Sequence, residues 1–299
     1  MAAGHCAGMS VARTDELARA YAAARPRLNR VAYAVLGSTG DAEDVVSDGW
    51  LRLVRADARE PIEDVEAWAT VAVARLALDV LRSARVRRET YVGPWLPEPV
   101  VATGSDDPAD RVTLDESVSF ALMVVLETLS PAERTTWVLH DLFGVPFAEV
   151  GEIVGRSPAA VRQLASRARA HVAERSPRLD VAPSEHDAAV AAFARATATG
   201  DLSALLGVLD PDVVLTSDGG GHVTAARRPV VGADKVGRFV LGIAAKAEEG
   251  QHIAPVVVNG RTGLGLFAGE RLAGVVAITV QRAKIVRLDF VVAPDKLPR

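Results

Sequence analysis

The stretch LSPAERTTWVLHDLFGVPFAEVGEIVGRSPAAVRQLASRARAHV, residues 129–172, is punctuated as three short helices. Ser130 and Glu133 are spaced as a capping box with Pro131 at the first helical position, and Gly144 falls where a helix ending in Leu142 and Phe143 should stop. A second helix is expected from about Pro146 to Val154, apolar at Phe147, Val150 and Val154, and Gly155 permits a sharp turn after it. Ser157 and Pro158 open a third helix, in which Val161, Leu164, Ala165, Ala168 and Val172 make one apolar stripe. Its other side carries Arg162, Gln163, Ser166, Arg167 and Arg169. Arginine and glutamine meet base edges with two hydrogen bonds at once, and serine or further arginine can hold phosphate. The pattern therefore predicts a DNA-reading helix-turn-helix, against the plainer alternative of a solvated helix in a bundle.

Working outward, the 299 residues suffice for two or three domains, and 49% hydrophobic with 24% charged residues mark folded globular material. A single cysteine, Cys6, excludes an internal disulfide and a thiolate cluster, and with no GxSxG, P-loop, dinucleotide fingerprint or metal cluster in the sequence, no metal site and no cofactor are expected. The first residues lack the layout of a signal peptide and no apolar run is long enough to span a bilayer, so a cytoplasmic protein without membrane contact is expected. The net charge of −4 argues against a free-standing nucleic-acid binder. Residues 89–182 hold 8 basic and 14 acidic side chains, which places the acidic excess in mid-chain. DNA affinity of the chain alone should be weak, with a larger partner supplying most phosphate contacts.

The N-terminal third predicts three helices: about Thr14 to Leu36, one starting at Asp41 after Gly37 and Gly40, and about Asp64 to Arg88. In the second, Val46, Trp50, Leu53 and Val54 point one way while Asp41, Asp44 and Asp48 lie on another face. Acids in a first turn oppose the helix dipole, but Asp48 lies too deep for that, and a protein-facing acidic surface is the alternative. The third is apolar on most sides, at Val65, Trp68, Val71, Ala72, Leu76, Val80 and Leu81. Its polar stripe holds Arg75, Asp79 and Arg82, where Arg75 and Asp79 have the spacing of a surface ion pair. Arg85, Arg87 and Arg88 extend it, and four arginines in seven residues exceed what a helix terminus requires. A phosphate-tracking surface fits.

The order DAEDVVSDGWLRLV (41–54), AWATVAVARLALDVLRS (67–83), a linker, and then the helix-turn-helix string resembles an extracytoplasmic-function (ECF) sigma factor of bacterial RNA polymerase over residues 13–175. The resemblance implies sigma domain two over 13–88, a linker over 89–114 and sigma domain four over 115–175. It implies that Asp41, Glu43, Asp44 and Asp48 dock on the polymerase core. It further implies that the third helix, with Arg75, Arg82 and Arg85, and the loop of about Asp57 to Glu66 hold the melted −10 strand. Arg162, Gln163, Ser166, Arg167 and Arg169 would enter the −35 major groove. RNA polymerase core and promoter DNA are the implied partners.

Within the linker, YVGPWLPEPV (91–100) is stiffened by three prolines, and Trp95 would be costly to leave exposed. WLPEP resembles the linker signature of the ECF subgroup that carries a C-terminal SnoaL-like domain. After residue 183 the pattern predicts helices near Glu185 to Thr199 and Asp201 to Leu209, a strand Val213 to Ser217, a helix of about Ala233 to Glu248, and runs at 253–258, 262–268, 272–281 and 284–292. This reads as an α+β domain with an antiparallel-looking sheet. The implied whole is multidomain: two all-α sigma domains, a helical bundle and a helix-turn-helix, plus a SnoaL-like cone over 183–299 with room for a small hydrophobic ligand.

DGGGH (218–222) and APDKL (293–297) resemble the subgroup's DGGGK and NPDKL. His222 replaces an obligate cation, which would make a salt bridge there pH-dependent, and Ala293 loses a capping side chain. Trp95, Leu96, Pro97, Asp218, His222, Asp295 and Lys296 are thereby candidate interdomain regulatory residues. Asp212, Asp218, His222 and Asp289 could serve an enzyme, but nothing in the sequence makes two of them converge, so no catalytic residue is assigned. The expected function is promoter-specific initiation regulated in cis by the fused domain. The alternative is a small-molecule-binding or isomerase/cyclase-type SnoaL-like protein with a regulatory DNA-binding N-terminal part.

Overall fold

The structure, a computed structural model, describes residues 6–88, 93–102, 118–175 and 181–298. The chain forms two compact units, one from Met1–Val86 with Leu129–His171 and one from Arg87–Thr128 with Val172–Arg299.

In the first unit, α1 (Cys6–Leu36), α2 (Thr39–Asp57) and α3 (Val65–Arg88) lead the chain. Gly37, at φ 73°, ends α1. Gly40 does not belong to the connection as expected: Ser38 caps α2 by accepting from the Asp41 N–H at 3.2 Å, so Gly40 lies inside the first turn. The three helices approach closely at Gly49. A Cβ there would sit 2.6 Å from the Tyr21 hydroxyl and 2.8 Å from Val73 Cγ2, and Tyr21 is fixed by its hydrogen bond to the Val46 carbonyl at 2.6 Å. Gly49→Ala should therefore destabilise the unit by about 1–3 kcal/mol despite its gain in helix propensity, measured as a lower urea midpoint with an unchanged slope.

The helix-turn-helix consists of α5 (Pro131–Trp137), a π turn (Val138–Leu142), α6 (Phe147–Val154) and α7 (Pro158–Arg175). It shares one apolar core with the N-terminal helices. Val31 of α1 and Ala74 and Leu78 of α3 cluster with Leu139, Val145, Val150, Ile153, Val154 and Val161. Arg134, only 2% exposed, donates from Nε to the Ala34 carbonyl at 3.1 Å. Arg27 reaches the Phe143 carbonyl at 3.3 Å.

In the second unit, α8 (Pro183–Thr199), α9 (Leu202–Val208) and α10 (Ala233–Ala244) pack on a sheet. Its strands are β1 (Val101–Ala102), β2 (Leu209–Asp218), β3 (Val230–Val231), β4 (Gln251–Val258), β5 (Arg261–Ala268), β6 (Arg271–Gln281) and β7 (Lys284–Val291). Among the described residues the order is β1-β4-β5-β6-β7-β2-β3. The expected antiparallel sheet is in fact mixed, because β2 runs parallel to β7, from Leu209 opposite Ile285 to Asp218 opposite Val291. Parallel neighbours need a long connection, and β3, α10 and the β4–β6 meander supply it. The fold is α+β as expected.

The sheet is covered on both faces at β6, which is why that strand reads as a near-continuous apolar run. Val276 and Ile278 join Val213, Leu215, Leu288 and Phe290 against Val190, Phe193 and Val240 of the helices. The alternating Val275 and Ala277 join Val256, Val258 and Val291 on the other face. That second face receives Leu96 of the linker and Phe120 of a short helix, α4 (Phe120–Leu126). No helix among the described residues is long and apolar enough to cross a membrane.

Candidate nucleic-acid interface and linker clamp

The α7 face is set by its burial pattern. Val161, Leu164, Ala165, Ala168 and Val172 are buried, while Arg162, Gln163, Ser166, Arg167 and Arg169 are all exposed. The entry to α7 is fixed by Gly155 in the left-handed region, at φ 71°, and by the Ser157 side chain accepting from the Ala160 N–H at 3.3 Å. Gly151 lets α6 meet this turn, since a Cβ there would lie 2.7 Å from the Arg156 carbonyl oxygen.

Three of the α7 guanidiniums meet side chains of the preceding helices. Arg167 Nε lies 3.3 Å from Glu133 Oε1. Partial burial pushes the Glu133 carboxyl up, but hydrogen bonds from Ser130 and the Arg167 charge outweigh it and hold the group below the usual range. Arg169 Nε donates to Asp141 Oδ1, and Arg162 lies 5.8 Å over the Phe147 ring, which itself stacks on His140 with centroids 3.7 Å apart. The capping box was legible in the sequence; the second role of Glu133 was not.

On α2, Glu43, Asp44 and Asp48 are exposed and Asp41 is half-buried. Leu51, 51% exposed, follows Asp44 and Asp48 on the same stripe. Sequence reasoning did not select it, although its place off the Val46, Trp50, Leu53 face was a usable signal. On α3, Arg75 does not pair with Asp79 as its spacing suggested. It meets Glu152 of α6 at 3.6 Å, and Asp79 faces Arg82 at 3.5 Å. The Arg85 side chain, like those of Arg87 and Arg88, lies outside the described residues. The loop after α2 is pinned by Asp57, which accepts from Arg13 at 2.7 Å and from the Ile62 N–H at 2.8 Å. The Arg13 guanidinium holds the Asp57 carboxyl below its usual range. A pocket of about 490 Å³ opens beside this loop, lined by Arg13, Leu17, Ile62 and Val65 among others.

The second unit builds its own cluster around the linker. Asp218, fully buried, accepts from the Leu96 N–H at 2.8 Å and from Lys296 Nζ at 2.7 Å. Lys296 also donates to the Leu96 carbonyl at 2.7 Å and sits 3.1 Å from the Trp95 ring centroid. Burial pushes the Asp218 carboxyl up, yet the Lys296 charge and the N–H groups of Leu96 and Gly220 draw it further down, to below the ordinary range. The cation facing Asp218 is thus Lys296, whereas His222 is exposed. Pro97 is buried and Asp295 exposed. Asn259 adds a second tie, accepting from the Val100 N–H at 3.0 Å and donating to the Val118 carbonyl at 3.3 Å. With φ 46° it opens an Asn-Gly hairpin, a signal the sequence carried and the reading above did not use.

The other aspartates do not assemble a catalytic set. Asp212 is exposed. Asp289 is buried against its own cation, Arg287, at 2.7 Å, and Arg287 also reaches Thr216 at 3.1 Å. Burial raises the Asp289 carboxyl by more than Arg287 lowers it.

Residues 20–87 match the family Sigma-70 region 2, and residues 119–172 match Sigma-70, region 4. The chain is 44% identical over 288 residues to the ECF RNA polymerase sigma factor SigJ of Mycobacterium tuberculosis, covering 92% of this chain and 91% of that one. It is 37% identical over 290 residues to the probable ECF RNA polymerase sigma factor SigI of the same species, covering 95% of each. The crystal structure of Mycobacterium tuberculosis SigJ matches with a TM-score of 0.74 at 40% identity, over 92% of this chain and 95% of that one.

Proposed function

The chain belongs to the ECF sigma factors of bacterial RNA polymerase, and from that premise we propose how its parts divide the work of promoter-specific initiation. Residues 13–88 are sigma domain two, 89–114 the linker, 115–175 sigma domain four and 183–299 a regulatory domain acting in cis. The protein binds the polymerase core and promoter DNA and is not an enzyme. It works where the polymerase works, in the cytoplasm. The observation that carries the reading is the division of α7 into a fully buried apolar stripe and five exposed residues able to meet DNA, Arg162, Gln163, Ser166, Arg167 and Arg169. Arg75, Arg82 and Arg85 serve the melted strand.

Asp41, Glu43, Asp44 and Asp48 face the polymerase, because carboxylates repel phosphate, and Leu51 adds an apolar anchor. The regulatory domain acts through the linker: Trp95 and Leu96 meet Lys296, Leu96 also meets Asp218, Pro97 is buried, and Leu96 and Phe120 share one cluster with the sheet. Apolar side chains of the sheet and helices pack together in this domain, and no role is assigned to a small hydrophobic ligand. The test is run-off transcription by core enzyme with the full chain. Addition of the chain should confer promoter-dependent synthesis. The Asp44→Lys, Asp48→Lys variant should lose core pull-down by about tenfold or more while keeping its circular dichroism. Undiminished core binding by that variant refutes the docking assignment.

A further inference from the structure

Arg162, Arg167 and Arg169 of α7 each meet a side chain of the preceding elements, and the way each is engaged bears on selectivity. Arg167 and Arg169 are both engaged through Nε, by Glu133 and Asp141. A carboxylate on the Nε edge leaves the two terminal nitrogens, and two N–H groups from one guanidinium are what a guanine edge accepts. The holders are themselves held. Glu133 is 22% exposed and bonded to Ser130 through the capping box, with its other oxygen, Oε2, 2.6 Å from the Ser130 hydroxyl. Asp141 is 19% exposed and belongs to the π turn Val138–Leu142. That turn also carries His140, whose Nδ1 lies 2.9 Å from the Val145 carbonyl and whose ring backs Phe147, the shelf under Arg162. Single π turns inside helices concentrate at functional sites, and this one places Asp141, which holds Arg169, beside His140, which backs the Phe147 ring under Arg162.

We infer that Glu133, Asp141 and Phe147 are positioning residues for promoter discrimination: they fix the directions of Arg167, Arg169 and Arg162 without themselves touching DNA. The inference rests on the assignment of α7 as the −35 reader. Fixing a guanidinium removes rotamers it would otherwise use to follow a wrong base or a phosphate, so the gain is in the ratio between sites. The carboxylates also oppose phosphate. Neutralising them should leave binding to promoterless DNA as strong as before or stronger, while discrimination falls. Damage to the fold would weaken both.

The experiment uses the full chain with core polymerase on promoters randomised at each −35 position, comparing Glu133→Gln, Asp141→Asn and Phe147→Leu with Arg167→Ala, Arg169→Ala and Arg162→Ala. Glu133→Gln keeps an acceptor for the cap, and Asp141→Asn keeps its shape should the former fold poorly. Each support variant is expected to lose preference by about three- to tenfold at the same base pairs as its arginine variant. Double variants should lose no more than the arginine variant alone. If the arginine variants relax particular positions and the support variants keep wild-type preferences, or flatten all positions equally, the positioning role is wrong and the reader assignment stands. If the arginine variants change no position, both are wrong.

Discussion

Lys296→Ala is expected to destabilise the C-terminal unit by about 3–5 kcal/mol, because it strands a fully buried carboxylate, Asp218, and leaves the Leu96 carbonyl without its ammonium donor. A thermal melt of the full chain should show that loss. Faster hydrogen exchange of the Leu96 amide, which Asp218 accepts at 2.8 Å, should locate it. The double variant Asp218→Asn, Lys296→Met should recover most of the stability, since an ion pair replaced by less polar groups of similar size is often neutral or better. Acid adds a second signature. The Asp218 carboxyl is held below its unfolded value, so its contribution is complete above the unfolded value of about 3.9 and disappears as the pH falls through the lower folded one. Without Lys296 burial acts with less opposition, and acid unfolding should begin at a higher pH than in the parent chain. A variant with the parent's melting point and acid transition would show that the buried pair contributes nothing.

The triple variant Arg162→Ala, Gln163→Ala, Arg167→Ala should reduce −35-dependent transcription by at least about 100-fold, as each bidentate base contact is worth about 1–3 kcal/mol. The ratio of run-off transcript from a promoter with its −35 element to one with that element scrambled is the measurement. It should collapse towards one while core binding persists, because none of the three residues lies on the acidic face of α2. An unchanged ratio would place −35 recognition elsewhere.

How much of this was legible depended on the range of the interaction. The α7 stripe was readable residue by residue, since burial at Val161, Leu164, Ala165, Ala168 and Val172 follows the helical period alone. The capping box of Ser130 and Glu133 spans three residues and was equally plain. Gly40 misled because glycine usually interrupts a helix, whereas the serine two residues earlier decides where α2 begins. The direction of β2 was beyond periodicity, which reports the faces of a strand and not its neighbour. The counter-ion of Asp218 could not be read from its neighbours in the chain. It lies 78 residues further on, where only the folded sheet brings Lys296 to it. The π turn left no sequence signal that we recognise, and with it the supports of Arg162 and Arg169 stayed invisible.

The distance in sequence between Leu96 and the side chain that clasps it is 200 residues. At 5–20 residues per second, a ribosome adds Lys296 about 10–40 s after it has added Leu96. The N-terminal helices precede that interval and the whole helix-turn-helix is synthesised within it, while the linker between them has no lysine to grip its tryptophan and its backbone. Every newly made molecule therefore passes through a stage in which both sigma regions exist and the Lys296 contact to Leu96 does not. Elongation from the end of α7 at Arg175 to Lys296 sets how long that stage lasts.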